Sequence, residues 1–447
     1  MKFRGDVMRT EKDKIGEVHI EDGTLYGIQT ARAAENFALG GRKTDMQLIY
    51  AIVTVKKAAA LTYQKLNIGK EGVYEAIAAA CGQVLEGKAD GAFVTDALQG
   101  GAGTSTNMNA NEVLANLALK KLGFEYGRYD IIHPLDDVNR GQSTNDVYPT
   151  ALRIAAIQLL RQLSDACAKL QQSLQTKENE YDGIAKLGRT ELMDAVPITL
   201  GQEFGSFAQA IARDRWRLYK VEERLRQVNI GGTAVGAGNN ADKKYRFRII
   251  EELRELTGIG LAAAEYPMDI TQNNDVFVEV SGLLKALAVN LIKISNDLRL
   301  MNSGPKGGFS EIVLEPLQMG STIMPGKVNP VIPEMVMQVS MKVMANDFAI
   351  STAASRGEFE LNAFLPLIAD ALLESLELLT GAAELFRTKC IELVKPNEDR
   401  CRELLEASFA FAAEYTPQLG YDRVSEIIEE SDGDSSRAKG RLDGQKI

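Results

Sequence analysis

The chain has 447 residues, of which 45% are hydrophobic, enough for a sizeable core divided over two or three domains. Its 51 Lys and Arg against 61 Asp and Glu leave a formal charge of −10, which disfavours nucleic acid or an anionic membrane as principal partner. A small acidic substrate is not excluded, because a few donors in a cleft suffice to read it.

Four cysteines, Cys81, Cys167, Cys390 and Cys401, are widely spaced, and only His19 and His133 could join them, so neither disulfides nor zinc are expected. The opening Met1-Lys2-Phe3-Arg4-Gly5-Asp6 lacks the apolar stretch of a secretory leader, and no run of about 18 apolar residues occurs. A cytoplasmic chain with reduced thiols is the expectation.

Up to about residue 140, short helical patterns over Tyr50 to Leu66 and Val73 to Leu85 alternate with glycine-rich turns, giving an N-terminal, mainly helical domain, 1–140. Within it, Thr104, Ser105, Thr106 and Asn107 precede the helical pattern Asn111 to Leu117. Such side chains cap a helix, and they can also bind an anion together with the free amides of its first turn. A second cluster, Ser143-Thr144-Asn145-Asp146, opens a helix with Pro149 near its start. There Val147, Ala151, Ile154, Ala155, Leu160, Leu163 and Leu170 hold helical spacing for several turns.

Gly188-Arg189-Thr190-Glu191 reads as a chain-reversing loop before a helix starting near Thr199. Further long helices are predicted over Thr199 to Val228, Val276 to Met301, Ile332 toward Ala353 and Ala363 to Leu385. The fold class is therefore all-α: a long central helical bundle, 141–395, flanked by smaller N- and C-terminal helical domains. Val276 to Val289 is apolar on more than one side, so it needs burial beyond what one amphipathic stripe provides. After Pro396 the pieces shorten into a small C-terminal domain, 396–447, whose polar tail from Ser431 to Ile447 is expected to be frayed or disordered.

Gly320-Ser321-Thr322-Ile323-Met324-Pro325-Gly326-Lys327-Val328-Asn329-Pro330, with Glu334 four residues on, interrupts the bundle pattern. Gly320 and Gly326 permit positive φ, and Pro325 and Pro330 exclude helix. A mobile flap carrying two hydroxyls, a cation and an amide is predicted, with a plain interhelical turn as the competing reading.

This segment resembles the G-S-S-x-M-P-x-K-x-N signature of the aspartase/fumarase superfamily, with Thr322 in place of the second serine. Gly100 to Asn109, Gln142 to Asp146, and Gly188 to Glu191 leading to Gly201-Gln202-Glu203-Phe204 match further blocks of that family in its order. The resemblance extends from about Tyr26 to about Tyr421. Tyr415-Thr416-Pro417-Gln418-Leu419-Gly420-Tyr421 is similar to the family's N-P-x-I-G-Y turn, and the C-terminal domain looks abbreviated beside the ammonia-eliminating branch. Gln142 to Asn145 and Asp194 to Phe204 also resemble that branch most.

The resemblance implies a carbon–nitrogen lyase that eliminates ammonia from L-aspartate in the anti sense to give fumarate. It implies Ser321 as the general base at C3, and Thr104, Ser143, Thr144 and Thr322 as donors to the enediolate that forms. Lys327, Asn329 and Thr190 would hold the α-carboxylate, with Glu334 orienting the lysine. No cofactor is required, although modulation by a divalent metal is compatible with the family; no metal-ligand spacing is evident. A homotetramer with sites shared by three subunits is implied as well.

Glu191 departs from the family's hydratases, which carry histidine there. An ionised carboxylate beside a dicarboxylate needs a cation between them, so Glu191, with Thr104 and Asn145, is expected to face the substrate's ammonium. Two alternatives stand beside this reading. Asp136 to Asn139 and Gly357 to Asn362 look somewhat like a fumarate hydratase, and a non-catalytic helical scaffold of the same fold is the third possibility.

Overall fold

The computed structural model describes residues 8–445. The described chain opens with an antiparallel hairpin, β1 (Met8–Lys12) and β2 (Glu17–Glu21), followed by α1 (Ile28–Asn36), α2 (Met46–Lys65), α3 (Val73–Leu85), α4 (Thr104–Lys121) and α5 (Thr144–Glu180). A second antiparallel hairpin, β3 (Ala185–Thr190) and β4 (Met193–Thr199), leads into α6 (Leu200–Leu225), α7 (Lys243–Thr257), α8 (Pro267–Gln272), α9 (Asp275–Met301), α10 (Val331–Ala354) and α11 (Leu365–Phe386). Four shorter helices close the chain: α12 (Glu398–Ala407), α13 (Thr416–Leu419), α14 (Tyr421–Glu429) and α15 (Ser435–Asp443). The fold is all-α in class, and the five long helices of the bundle lie within a turn of where apolar spacing predicts them. The two hairpins were not anticipated, and the second occupies the place of the predicted loop.

Two compact units divide the described residues, 8–162 with 218–284 and 344–377, and 163–217 with 285–343 and 378–445. In the first unit, α2 begins under Asp45, whose carboxylate accepts the N–H of Gln47 at 2.7 Å, the usual N-cap bond. Helix α4 is buried on nearly every side from Thr106 to Leu119, which makes it the centre of this unit. Gly103, immediately before it, takes φ +93° with its Cα against the Tyr148 ring. A Cβ there would lie 2.3 Å from a ring carbon, so only glycine lets α4 start on that surface. Ser281 on α9 donates to Asp347 on α10 at 2.8 Å, and Asn346 donates to Ser375 on α11 at 3.0 Å, joining the bundle portions of this unit.

In the second unit, Asn290 on α9 donates to Asp214 on α6 at 2.7 Å, while Tyr181 sits edge-on to Phe204 at 5.4 Å. Its C-terminal helices build a small core of Ala412, Tyr415, Val424, Ile427 and Leu442. The predicted disorder after Ser431 is corrected as far as residue 445. α15 places Ala438 and Leu442 four residues apart on one face, both fully buried, and Tyr415 donates to Asp443 at 2.5 Å. Residues 446–447 lie outside the described residues.

Candidate active site

The predicted site residues fall in both units. In the first, Thr104, Ser143, Thr144 and Asn145 all stand at helix N-termini. Ser143 caps α5: its Oγ accepts the Asn145 N–H at 3.2 Å, and Asp146 reaches back to accept the Ser143 N–H at 2.9 Å, a reciprocal capping box. Pro149 lies in the second turn and has no N–H for the carbonyl of Asn145. The buried Asn229 supplies the missing donor at 3.0 Å, so this otherwise helix-breaking proline is tolerated.

The amides that the sequence offers as anion donors are largely engaged. Thr104 N donates to Gly101 O, Thr106 N to Gln99 Oε1, and Asp146 N and Val147 N to Ser143 O. What this surface can offer a ligand is therefore mainly its side chains, whose existing bonds fix their polarity. Thr104 gives its hydroxyl proton to Gly101 O at 2.7 Å, so its lone pairs remain as acceptors. Asn145 Nδ2 donates to Ala234 O at 2.8 Å, leaving Oδ1 as an acceptor too. Thr144 Oγ1 accepts from Asn107 Nδ2 at 3.1 Å, and Ser143 Oγ accepts the Asn145 amide, so these two hydroxyls keep protons to donate.

Asp146 is fully buried beneath this surface. Its second oxygen accepts the N–H groups of Gly231 and Thr233 at 3.0 and 2.9 Å. Burial outweighs these bonds and pushes its carboxyl up to about 6. Lys56, on α2, is 1% exposed, and its ammonium donates to two neutral amides, Asn139 Oδ1 at 2.7 Å and Gln142 Oε1 at 2.9 Å. Loss of hydration brings it down to about 7 despite the charge of Asp146 nearby. His133 accepts the N–H groups of Leu135 and Asp136 at its Nδ1, which makes it the cap of a turn.

In the second unit, Thr190 and Glu191 sit at the exposed tip of the β3–β4 hairpin, where Thr190 pairs with Met193. The two residues of the turn, Glu191 and Leu192, take φ +54° and +65°. Both values are of the type I′ kind, a turn ordinarily given to Asn-Gly, so neither side chain is here for backbone ease. The hairpin is anchored by charge. Lys186 Nζ lies 2.5 Å from Glu203 and 3.2 Å from the fully buried Glu311, and Arg189 donates to Glu311 at 2.9 Å while stacking 4.3 Å over the Phe309 ring.

The flap has no helix or strand from Gly320 to Pro330. Its neck is closed by Gly320 N–H to Lys327 O and by Asn329 Nδ2 to Gly320 O, both at 2.9 Å. Gly326 has φ +80°, as expected. Gly320 does not; it is glycine because a Cβ would meet Lys327 O at 2.5 Å and Asn329 N at 2.8 Å. At the head of the loop, Ser321 Oγ accepts the N–H groups of Met324 at 2.9 Å and Ile323 at 3.2 Å. Thr322 and Lys327 are exposed. Residues 316–328 enclose about 650 Å³, lined in part by Ser321, Thr322 and Lys327.

A second cavity, of about 470 Å³, is lined by Lys327, Asn329, Glu334 and Arg299 among others. Glu334, expected to orient Lys327, lies instead 3.9 Å from Arg299 Nε. It stands in the first turn of α10, near Arg299 of α9, and the loop-borne lysine makes no side-chain hydrogen bond or ion pair among the described residues. Among those residues no three His, Cys, Asp or Glu side chains cluster as a metal site, and no helix is long and apolar enough to cross a membrane.

Sequence reasoning missed Lys56, Asn139, Asn229, Lys186, Glu311 and Arg299 as parts of this architecture. A signal existed for the first. Ile49, Ile52, Val53, Lys56, Ala60 and Tyr63 share one helical stripe, so the lysine interrupts an apolar face.

A lyase family model matches residues 16–345. The aspartate ammonia-lyase of a Bacillus species is 44% identical over 424 residues, covering 95% of this chain and 91% of that protein. The aspartate ammonia-lyase of Pseudomonas aeruginosa is 45% identical over 422 residues, covering 94% and 89%. Among solved structures, a fumarate lyase:delta crystallin from Brucella melitensis, bound to cobalt, superposes with a TM-score of 0.93 at 44% identity, covering 98% of each chain. A class II fumarase from Schistosoma mansoni gives 0.94 at 31% identity, covering 98% of this chain and 96% of that one.

Proposed function

The chain belongs to the lyase family of the aspartases and fumarases, and from that membership we propose how its own residues carry the reaction. The activity is that of an aspartate ammonia-lyase, the reversible elimination of ammonia from L-aspartate to give fumarate.

Ser321, its own proton already lost to solvent, acts as the alkoxide that removes the C3 proton and becomes the neutral hydroxyl. A serine hydroxyl is a very weak base, so its oxyanion needs donors already in place before the proton moves. The observation that carries this reading is the pair of backbone N–H groups, from Met324 and Ile323, on Ser321 Oγ. The electron pair of the broken C–H bond passes to the β-carboxylate as an enediolate, then forms the C2=C3 double bond as the C–N bond breaks and ammonia departs.

The polarity of the first-unit side chains supports two tasks for them. Ser143 and Thr144 have protons to give and meet the enediolate, joined from the flap by Thr322. Thr104 and Asn145 present lone pairs and take the ammonium, with the carboxylate of Glu191. That assignment narrows Thr104, which composition alone would let serve either group. Lys327, Asn329 and Thr190 hold the α-carboxylate. Glu334 acts on the lysine side of this grip through the shared cavity with Arg299. Proton transfer and amine departure need no redox or electrophilic cofactor, and divalent cations stand outside the chemical step.

We infer a homotetramer in which three subunits build each site. Trp216 and Tyr219 on α6, Val289 on α9 and Met341 and Phe348 on α10 are exposed apolar residues on the long bundle helices, and they suit helix-to-helix association. The four cysteines are free and buried, in keeping with a cytoplasmic enzyme.

The test is incubation with fumarate, with and without ammonium, following aspartate and malate. Aspartate formed only with ammonium supports the reading. Malate formed at a comparable rate without ammonium makes the chain a hydratase, and no conversion of any C4 dicarboxylate by an intact oligomer makes it a scaffold.

A further inference from the structure

Lys56 is a buried cation whose hydrogen-bond partners are the side-chain carbonyls of Asn139 and Gln142, at 2.7 and 2.9 Å. A charge removed from water in this way costs several kcal/mol unless something requires it, and methionine would fill the same apolar stripe of α2 without that cost. The requirement lies in what Asn139 does next. Its Oδ1 also accepts Asn107 Nδ2 at 3.2 Å, and the same Asn107 amide donates to Thr144 Oγ1 at 3.1 Å. The Asn139 amide nitrogen, turned the other way, donates to Gln142 O at 3.2 Å.

The direction of the bonds in this chain is set at its two ends: the Lys56 ammonium, which can only donate, holds Asn139 Oδ1, and the Gln142 carbonyl, which can only accept, holds the Asn139 amide nitrogen. Together they keep Oδ1 of Asn139 inward, the charged bond at 2.7 Å being the shorter of the two. An inward oxygen holds the Asn107 amide, and the Asn107 N–H then occupies a lone pair of Thr144, leaving the threonine proton to point away. Without the ammonium, only the bond to Gln142 O at 3.2 Å opposes a flip of Asn139 that presents N–H to N–H. Asn107 is then released, and Thr144 can turn its own proton back into the protein.

We propose that Lys56 is a positioning residue for the elimination: acting through Asn139 and Asn107, it sets the Thr144 hydroxyl as a donor to the developing enediolate. This rests on the assignment of Thr144 to that charge. Because a misdirected donor matters most when charge develops, the effect falls on kcat more than on KM.

The full-length, assembled enzyme is compared as Lys56→Met, Asn139→Ala and Thr144→Val, singly and with the first two each combined with the third, for kcat, KM for aspartate and melting temperature. Thr144→Val is expected to lower kcat on the order of 100-fold. Lys56→Met and Asn139→Ala are each expected to lower it roughly tenfold or more, with KM within about threefold. The double variants should be no slower than Thr144→Val alone within about twofold, since the relay has nothing left to orient.

If Thr144→Val keeps its kcat, the assignment of Thr144 fails and the relay with it. If Thr144→Val is slow but Lys56→Met turns over like the wild type, or if the two losses multiply, the relay alone is overturned. Should Lys56→Met fail to assemble, Asn139→Ala decides in the same way, because it breaks the relay while leaving Lys56 bonded to Gln142.

Discussion

The backbone N–H of Met324 donates to Ser321 Oγ at 2.9 Å, so a residue of the flap binds the oxygen of its own proposed base. Proline follows Met324, and Gly326 turns the chain, which lets the segment fold back on the serine in so few residues. The donors and the oxygen therefore belong to one segment. If Ser321 is the base, closure of that loop over C3 brings an oxyanion site already assembled.

Removing that oxygen is expected to slow the proton transfer while leaving substrate binding largely intact. Ser321→Ala is expected to lower kcat by roughly 10²–10⁴-fold, the range supplied by a positioned general base. The melting temperature should stay unchanged, since Ser321 lies outside the core. Steady-state deamination assays beside thermal unfolding check this, and wild-type turnover by an assembled Ser321→Ala enzyme would remove the serine from the mechanism.

Gly320→Ala tests the neck of the loop without touching any chemical group. The added methyl would sit 2.5 Å from Lys327 O and 2.8 Å from Asn329 N, backbone atoms that can yield only if the neck opens. The two bonds that close it, Gly320 N–H to Lys327 O and Asn329 Nδ2 to Gly320 O, are then strained or lost together. The expected outcome is a loss of kcat/KM with little change in global stability, seen as faster proteolytic cleavage between 320 and 330. Equal cleavage rates for the variant and the wild type would show that the loop accommodates the methyl.

How far the sequence discloses all this depends on what each residue signals. The long helices were readable because burial imposes a 3.6-residue period on them, and the flap because Gly and Pro punctuate so strongly. Thr104 and Ser143 to Asn145 were readable as helix starts, and the family resemblance implied donors at Ser143 and Thr144 and an acceptor at Asn145, but it left Thr104 in both groups. For Thr104 the sense depends on Gly101 O, three residues away, and for Asn145 and Thr144 on Ala234 O and Asn107, which come from other parts of the chain. The β3–β4 hairpin escaped because its turn is Glu-Leu, a pair with no turn preference, held by contacts of Lys186 and Arg189 with the distant Glu311. The tail after Ser431 misled by composition. Two buried apolar residues, Ala438 and Leu442, dock α15, and Leu442 joins Tyr415 and Ile427 in one core.

Glu311 has no exposed surface and stands between Lys186 and Arg189, so its removal leaves the buried Lys186 with one counterion instead of two. Glu311→Ala is expected to destabilise the enzyme by roughly 3–5 kcal/mol, the usual cost of breaking a buried pair from one side. The hairpin tip with Thr190 and Glu191 should loosen at the same time, raising KM for aspartate. Urea unfolding at fixed protein concentration gives the first number and steady-state kinetics the second. A cost below about 1 kcal/mol would mean that the cluster behaves like a surface pair.

Glu191 occupies a left-handed turn position where its side chain gains nothing locally, which fits a role outside the hairpin. If it takes the ammonium, Glu191→Gln weakens the amino acid and spares the product. The KM for aspartate should rise about tenfold, the scale of a charge-assisted hydrogen bond, while inhibition by fumarate, which has no amine, stays as in the wild type. Equal losses for both ligands would place Glu191 with the carboxylate grip instead.

Asp146 and Lys56 predict opposite slopes of stability with pH, and the signs can be worked out separately. Asp146 releases its proton near 3.8 in the unfolded chain and at about 6 when buried, so between those values the native state holds more protons and stability falls as pH rises. Lys56 is the reverse: unfolded it keeps its proton to 10.5, buried only to about 7, so above pH 7 the unfolded state holds more protons and stability rises. The rise is clean only up to about pH 9, where unfolded thiols begin to ionise. Burial pushes Cys81, Cys167 and Cys390 up to about 12 and Cys401 to about 11, which turns the slope downward again. Unfolding free energies between pH 4 and 8.5 should therefore pass through a low point near pH 6 to 7. Asp146→Asn should flatten the acid limb and Lys56→Met the limb above pH 7, each against the wild type at equal subunit concentration. If Lys56→Met keeps the wild-type slope from pH 7 to 8.5, the ammonium is not desolvated as its place between Asn139 and Gln142 requires.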